Sequence, residues 1–97
     1  MLVGTMVITI NLPGIRSLKE KRKIVKSLVE RLRNRFNFSV SEVAANESKL
    51  QAVIGLAMVS DDGVHIERQI DKVSEFVHAD GRFFVSRIER EMFSVEE

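Results

Sequence analysis

The sequence predicts one α+β domain of βαββαβ order, and three observations carry that prediction. Apolar residues alternate with period two along Leu2 to Leu12 and Leu50 to Val59. They recur at helical spacing after Ser17 and again after Asp61. Turn-forming groups, Pro13-Gly14, Asn46-Glu47-Ser48-Lys49 and Asp80-Gly81, separate the segments. The 97 residues fit a single domain, 1–97, large enough to bury a real core with a thin stability margin.

In the first segment Leu2, Met6, Ile8, Ile10 and Leu12 share one face and Val3, Thr5, Val7 and Thr9 the other, which is the pattern of a strand. Ser17-Leu18-Lys19-Glu20 is a capping box, with the Glu20 side chain expected to reach back to the Ser17 backbone N–H. The helix behind it aligns Leu18, Ile24, Val25, Leu28, Val29, Leu32 and Phe36, with Asn34 or Asn37 as its stop. Phe38 to Ala45 reads as a second strand. Leu50 to Val59 reads as a third, with Leu50, Ala52, Ile54, Leu56 and Met58 on one face. Ser60 or Asp61 is expected to cap a second helix, whose stripe is Ile66, Ile70, Val73 and Val77. A fourth strand runs from Arg82 to about Met92, and Ser94 to Glu97 reads as a frayed tail.

The first and third strands are the most apolar, whereas the second and fourth carry Glu42 and Arg87, Glu89, Arg90 and Glu91. Charge belongs on sheet edges, where it blocks unwanted pairing. Right-handed crossovers then give the sheet order 2-3-1-4 with both helices on one face, the ferredoxin-like sandwich. The other face presents Val3, Val7, Val53 and Ala57 on the central strands. A flat, mildly apolar patch of this kind is a candidate interface, for a homodimer or another protein.

Net charge is +1, but the distribution is uneven. Residues 16–36 carry nine Lys/Arg and two acids, a net +7, and the remainder six bases and twelve acids, a net −6. Lys19, Lys23, Lys26 and Arg33 fall opposite the apolar stripe, with Arg22 on its flank and Arg16 just before the helix start, a row suited to tracking phosphates. The competing readings are a solvated helix face, with Glu30 absorbing part of the charge through local ion pairs, and a surface for an acidic protein partner.

No cysteine is present, which excludes disulfides and Cys-based zinc sites and suits a reducing compartment. Met1 to Leu12 lacks a basic start and a small-residue cleavage site, so it reads as a strand rather than a signal peptide. No apolar run approaches the roughly 20 residues that span a bilayer. Asp61, Asp62 and His65 are metal-capable residue types, but acids at a helix start favour the cap reading. His78 stands near the end of the second helix with no catalytic partner nearby. There is no nucleophile with a recognisable base, no phosphate-binding loop and no dinucleotide fingerprint. The expectation is a binding protein without cofactor or metal, not an enzyme.

The residues Leu12-Pro13-Gly14, Ser17-Leu18-Lys19-Glu20-Lys21-Arg22, Val25-Lys26-Ser27-Leu28, Arg31-Leu32-Arg33-Asn34-Arg35-Phe36-Asn37 and Val40-Ser41-Glu42-Val43 resemble the YlxP-like family, a bacterial domain of unknown function. The resemblance runs along nearly the whole chain. It implies a ferredoxin-like fold and a cytoplasmic setting near translation genes. It implies no activity and no functional residues.

One module of this fold, the RNA-recognition motif, stacks bases on aromatics of its two central strands. Met6 to Ile10 and Gln51 to Ala57 contain none. The Phe residues stand at 36, 38, 76, 83, 84 and 93. RNA, or a ribosomal surface, is therefore expected on the basic helix, through shape and charge. The alternative function is an oligomerising or regulatory module working through the sheet face.

Overall fold

A computed structural model describes all 97 residues: β1 (Leu2–Asn11), α1 (Leu18–Arg35), β2 (Ser39–Ala44), β3 (Gln51–Ser60), α2 (Gly63–His78) and β4 (Phe84–Ser94). The four strands form one antiparallel sheet in the order β2-β3-β1-β4, the ferredoxin-like arrangement the sequence predicts. The two charged strands are the edges.

Register follows from the alternation. Met6 opposes Leu56, Ile8 opposes Ile54 and Ile10 opposes Ala52, so one face of the central pair is continuously apolar. Val25, Leu28 and Leu32 of α1 and Ile66, Ile70, Val73 and Val77 of α2 pack on it in a single cluster of 19 buried residues. Each fully buried aliphatic side chain contributes about 1.5–3 kcal/mol of transfer free energy. Gly4 lies where α2 crosses β1, and a Cβ there would run into Ile66 Cγ2. Gly14 turns the chain out of β1 with φ +76°, a conformation that side chains disfavour.

Two bulges break the strict alternation. Thr9 pairs with Arg87 and Ile10 with Val85, which leaves Ser86 as the extra residue, its hydroxyl donating to the Thr9 carbonyl at 3.2 Å. Val85 and Ile88, three apart, can therefore both pack against the core. On the other edge Glu42 pairs with Ile54 and Ala44 with Val53, and the extra residue, Val43, leans over Gly55.

Several boundaries differ from expectation, each for a local reason. The α2 cap is Asp62, whose carboxylate accepts from the Val64 and His65 N–H groups, while the Ser60 hydroxyl accepts from the Asp62 N–H. α1 ends at Phe36, whose N–H still donates to the Leu32 carbonyl, rather than at an Asn. Leu50, expected on the inner face of the third strand, lies just before β3 and is exposed, although its carbonyl accepts from the N–H of the buried Leu12. The tail is not frayed throughout: the Val95 N–H donates to the Met1 carbonyl at 2.8 Å, extending the β1–β4 ladder.

The turn from α2 into β4 is clipped to α1. Arg82 grips Asp80 through its side chain, at 2.7 Å and 3.0 Å, and through its backbone N–H at 2.9 Å, and also donates to the Ser27 hydroxyl at 3.1 Å. The Arg82 side-chain hydrogen bonds hold the Asp80 carboxyl below the usual carboxylate range; burial opposes them, and the Arg82 backbone N–H and the charges of Arg82 and Arg31 assist. A depressed folded-state pKa gives stability that is present above the ordinary value of 3.8 and lost as pH falls through the folded value. Asp80→Asn is accordingly expected to be less stable than the parent at pH 7, with the gap closing below about pH 4. Urea midpoints from pH 7 to pH 2 test this; a gap independent of pH would show that Asp80 contributes by shape alone.

Candidate nucleic-acid interface

α1 starts with a displaced capping box. The Ser17 Oγ accepts from the Glu20 N–H at 3.2 Å, as expected, but the Glu20 carboxylate accepts from the Arg16 N–H at 3.0 Å rather than from that of Ser17. Arg16 is thereby fixed at the helix entrance, with its side chain exposed.

The nine bases of this segment divide into four groups. Lys21 is wholly buried, with 0% of its side chain exposed. Its Nζ donates to the Ala45 carbonyl at 2.6 Å and lies 3.1 Å from Glu42 Oε2. Glu42 Oε2 has no well-directed hydrogen bond, so that contact is Coulombic. Arg33 is turned onto the sheet edge, where its Nε and Nη2 donate to the Val40 carbonyl at 3.0 Å and 2.6 Å. Arg31 and Arg35 both lie over the Phe76 ring: their guanidinium carbons are 5.3 Å and 5.2 Å from its centroid, and Phe36 meets that ring edge-on at 5.7 Å. Those contacts tie the end of α1 to α2.

Arg16, Lys19, Arg22, Lys23 and Lys26 form the last group. All are exposed, and none has a carboxylate within ion-pair distance. Glu30, on the same row, pairs with neither Lys26 nor Arg33. The free row thus occupies the entrance and first two turns of α1; at a rise of 1.5 Å per residue, Lys19 to Lys26 spans about 10 Å. Arg33 keeps only its remaining donors for an external group.

Lys21 was legible in part. It falls at the spacing of Val25, Leu28 and Leu32, on the apolar stripe, and a lysine there needs a buried partner. Which acid serves, Glu42 on the opposing strand, follows only from the pairing of α1 with β2.

The face of the sheet away from the helices carries Val3, Val7, Val53 and Ala57 on the central strands. Val3 opposes Val59, Thr5 opposes Ala57, Val7 opposes Gly55 and Thr9 opposes Val53. Val7 and Ala57 are exposed and Val3 and Val53 half-buried. The edges add what the central strands lack. Phe93, opposite Val3, and Phe84, opposite Asn11, stand exposed at the two ends of β4. Between them Glu91, Glu89 and Arg87 share the same face, the last two paired at 2.8 Å.

The other polar groups singled out in the sequence lie on and around α2. Asp62 caps α2, and Asp61 and His65 are exposed beside it. The three do not assemble into a cluster able to hold an ion. His78 Nδ1 lies 2.8 Å from the Ser74 carbonyl in the last turn of α2. No helix is long and apolar enough to cross a membrane.

Comparison with known proteins decides the kinship that the residues from Leu12 to Val43 point to: the model of the family described as "Protein of unknown function (DUF503)" matches residues 3–90. The chain belongs to the DUF503 family. Among curated proteins it is 36% identical, over 61 residues, to the "Uncharacterized protein YlxP" of Bacillus subtilis (strain 168); the match covers 63% of this chain and 66% of that protein. Among solved structures it is similar to the "De novo designed protein Foldit4", with a TM-score of 0.53 at 14% identity over 99% of this chain and 100% of that one, a likeness of fold alone. It also overlaps a REP-associated tyrosine transposase bound to a REP hairpin, with a TM-score of 0.45 at 16% identity over 96% of this chain and 58% of that one.

Proposed function

We propose that this DUF503 domain is a cytoplasmic binding protein, not an enzyme, that contacts RNA, free or in the ribosome, through the N-terminal half of α1. One observation carries the reading. The bases of residues 16–36 do not all neutralise one another: four are committed to internal contacts, and the other five stand together without an acid partner. A phosphate backbone is the partner that rewards such a row, because each phosphate neutralised releases a counterion. A solvated face would pair its bases with Glu neighbours, yet of the two acids in the segment Glu20 is held by the Arg16 backbone N–H and Glu30 lies beyond the end of the row, and neither pairs with a base of the row. Fluorescence anisotropy of labelled structured and single-stranded RNAs tests the reading. Micromolar or tighter binding at low salt is expected; no binding at low salt would remove RNA as the partner.

A second reading rests on a different observation. Val7, Val43, Val59 and Phe93, four large apolar side chains, are exposed on the open sheet face, Val43 and Val59 by 57% each. Strands of ten, six, ten and eleven residues, at about 3.3 Å per residue and about 4.8 Å apart, present roughly 600 Å². That is close to the about 800 Å² per partner of a stable complex, so a second copy of this chain fits the face. Light scattering of the parent at high concentration is expected to give a dimer, and Val7→Glu or Val53→Glu a folded monomer. A monomeric parent would dismiss the second copy. Because helix and sheet face opposite ways, the two readings are compatible.

A further inference from the structure

At the end of the sheet where β1 stops and α1 begins, Asn11, Leu12, Pro13, Ser48, Leu50, Gln51 and Phe84 line an open pocket of about 540 Å³. Small-ligand sites fall in this size range. Three of these residues form one row across the sheet: Gln51 opposes Asn11, and Asn11 opposes Phe84, all on the open face. Phe84 has 67% of its surface exposed and is the most exposed phenylalanine on this face, next to Leu50 at 68%. Beside it the Gln51 amide donates to the Asn11 carbonyl oxygen at 3.3 Å. That bond links the two side-chain amides and leaves free the Gln51 side-chain carbonyl oxygen and N–H donors on each. The pocket thus offers a π-face next to an oriented set of donors and acceptors, the chemistry that reads an unpaired nucleobase.

Charge around the pocket fits a nucleotide. Pro13 lines it, and Arg16, whose guanidinium has no carboxylate within ion-pair distance, follows three residues later, within about 11 Å along the chain. In the turn at Ser48 the unpaired Lys49 and Glu47 flank the lining residue and offset each other, so the positive charge at this end comes from Arg16. Lys19 and Lys23 continue from Arg16 into α1. Glu89 and Glu91 on the same sheet face, further along β4, disfavour phosphates there and confine a strand to this end.

We infer that this pocket takes one unpaired base of a single-stranded RNA, stacked on Phe84 and hydrogen-bonded by the Asn11–Gln51 amide pair, while the flanking phosphates pass over Arg16 to the free row of α1. The inference rests on the RNA reading above and adds single-strand selectivity to it. It differs from stacking across the central strands, which carry no aromatic: one base is held at a corner, by an edge strand.

The test uses Phe84→Trp and Phe84→Ala in the intact chain. The first installs the only tryptophan and keeps a stacking surface. Its emission is expected to be quenched by a single-stranded RNA but not by an abasic strand of equal length and charge. Phe84→Ala is expected to weaken single-stranded RNA binding about tenfold or more and leave duplex binding unchanged. Gln51→Ala, on the neighbouring strand, is expected to weaken the same binding in the same selective way. If Phe84→Trp is quenched equally by the abasic strand, or Phe84→Ala binds single strands like the parent while both RNAs still bind, the base site is overturned and the helix reading stands. If the parent binds neither RNA, both fall. Emission that changes with protein concentration alone, with no response to RNA, would make this corner a contact between copies and overturn the base site.

Discussion

Glu42→Ala is expected to destabilise the domain by about 3–5 kcal/mol, because it leaves the Lys21 ammonium buried beside two carbonyls with no counter-charge. Removing the charge and its partner together is a different matter. The double variant Lys21→Met/Glu42→Leu replaces an ion pair with side chains of similar volume, and such replacements are often neutral or better. The expected result is therefore strongly non-additive: one single change is severe, and the double recovers most of the loss. Urea unfolding followed by circular dichroism measures this directly. Glu42→Ala within about 1 kcal/mol of the parent would mean that water reaches Lys21 from the Glu42 side, where 19% of the carboxylate side chain is exposed. The pair is also the polar pin that seats α1 on β2. The Lys21 hydrogen bond to the Ala45 carbonyl holds the following hairpin too, where Ala45 adopts φ +60°.

Lys19→Glu, Lys23→Glu and Lys26→Glu combined are expected to weaken RNA binding by at least about a hundredfold at low salt. The change takes the net charge of the chain from +1 to −5 and puts three acids in the middle of the free row. Each lost phosphate contact removes its share of counterion release, and each new acid repels. Folding should be unaffected, because all three side chains are exposed and Glu is as good a helix former as Lys. A thermal midpoint near that of the parent is the control. A folded triple variant that binds RNA like the parent would exclude α1 as the surface.

Much of this architecture was legible in the residues. Period-two alternation in Leu2 to Leu12 gave the face of β1 correctly, and the stripe Ile66, Ile70, Val73, Val77 is the buried face of α2. Both are read from local spacing, which tertiary contacts only reinforce. The site was legible as a composition, not as a selection. Arg33 lies on the outer row by its angle, yet the unpaired Val40 carbonyl of an edge strand draws its guanidinium away. Lys21 counts as one base among nine until β2 brings Glu42 beneath it. Phe84 shows why β4 resists reading: alternation from Phe83 puts Phe84 outside, but the bulge at Ser86 reverses the phase, so the face of Arg87 and Glu89 follows only from the pairing with β1. Bulges depend on the partner strand and leave little trace in a single sequence.

The claim that α1 holds a phosphate backbone is tested most directly by the salt dependence of RNA affinity, measured by anisotropy on the unmodified protein between about 50 and 200 mM salt. Five free bases engaging a single strand give a slope of log affinity on log salt of about −3.5, a loss of about a hundredfold across that range. That steep fall is the result expected here. A slope shallower than about −1, with binding retained, would contradict the account, because the five bases would then not be what RNA touches.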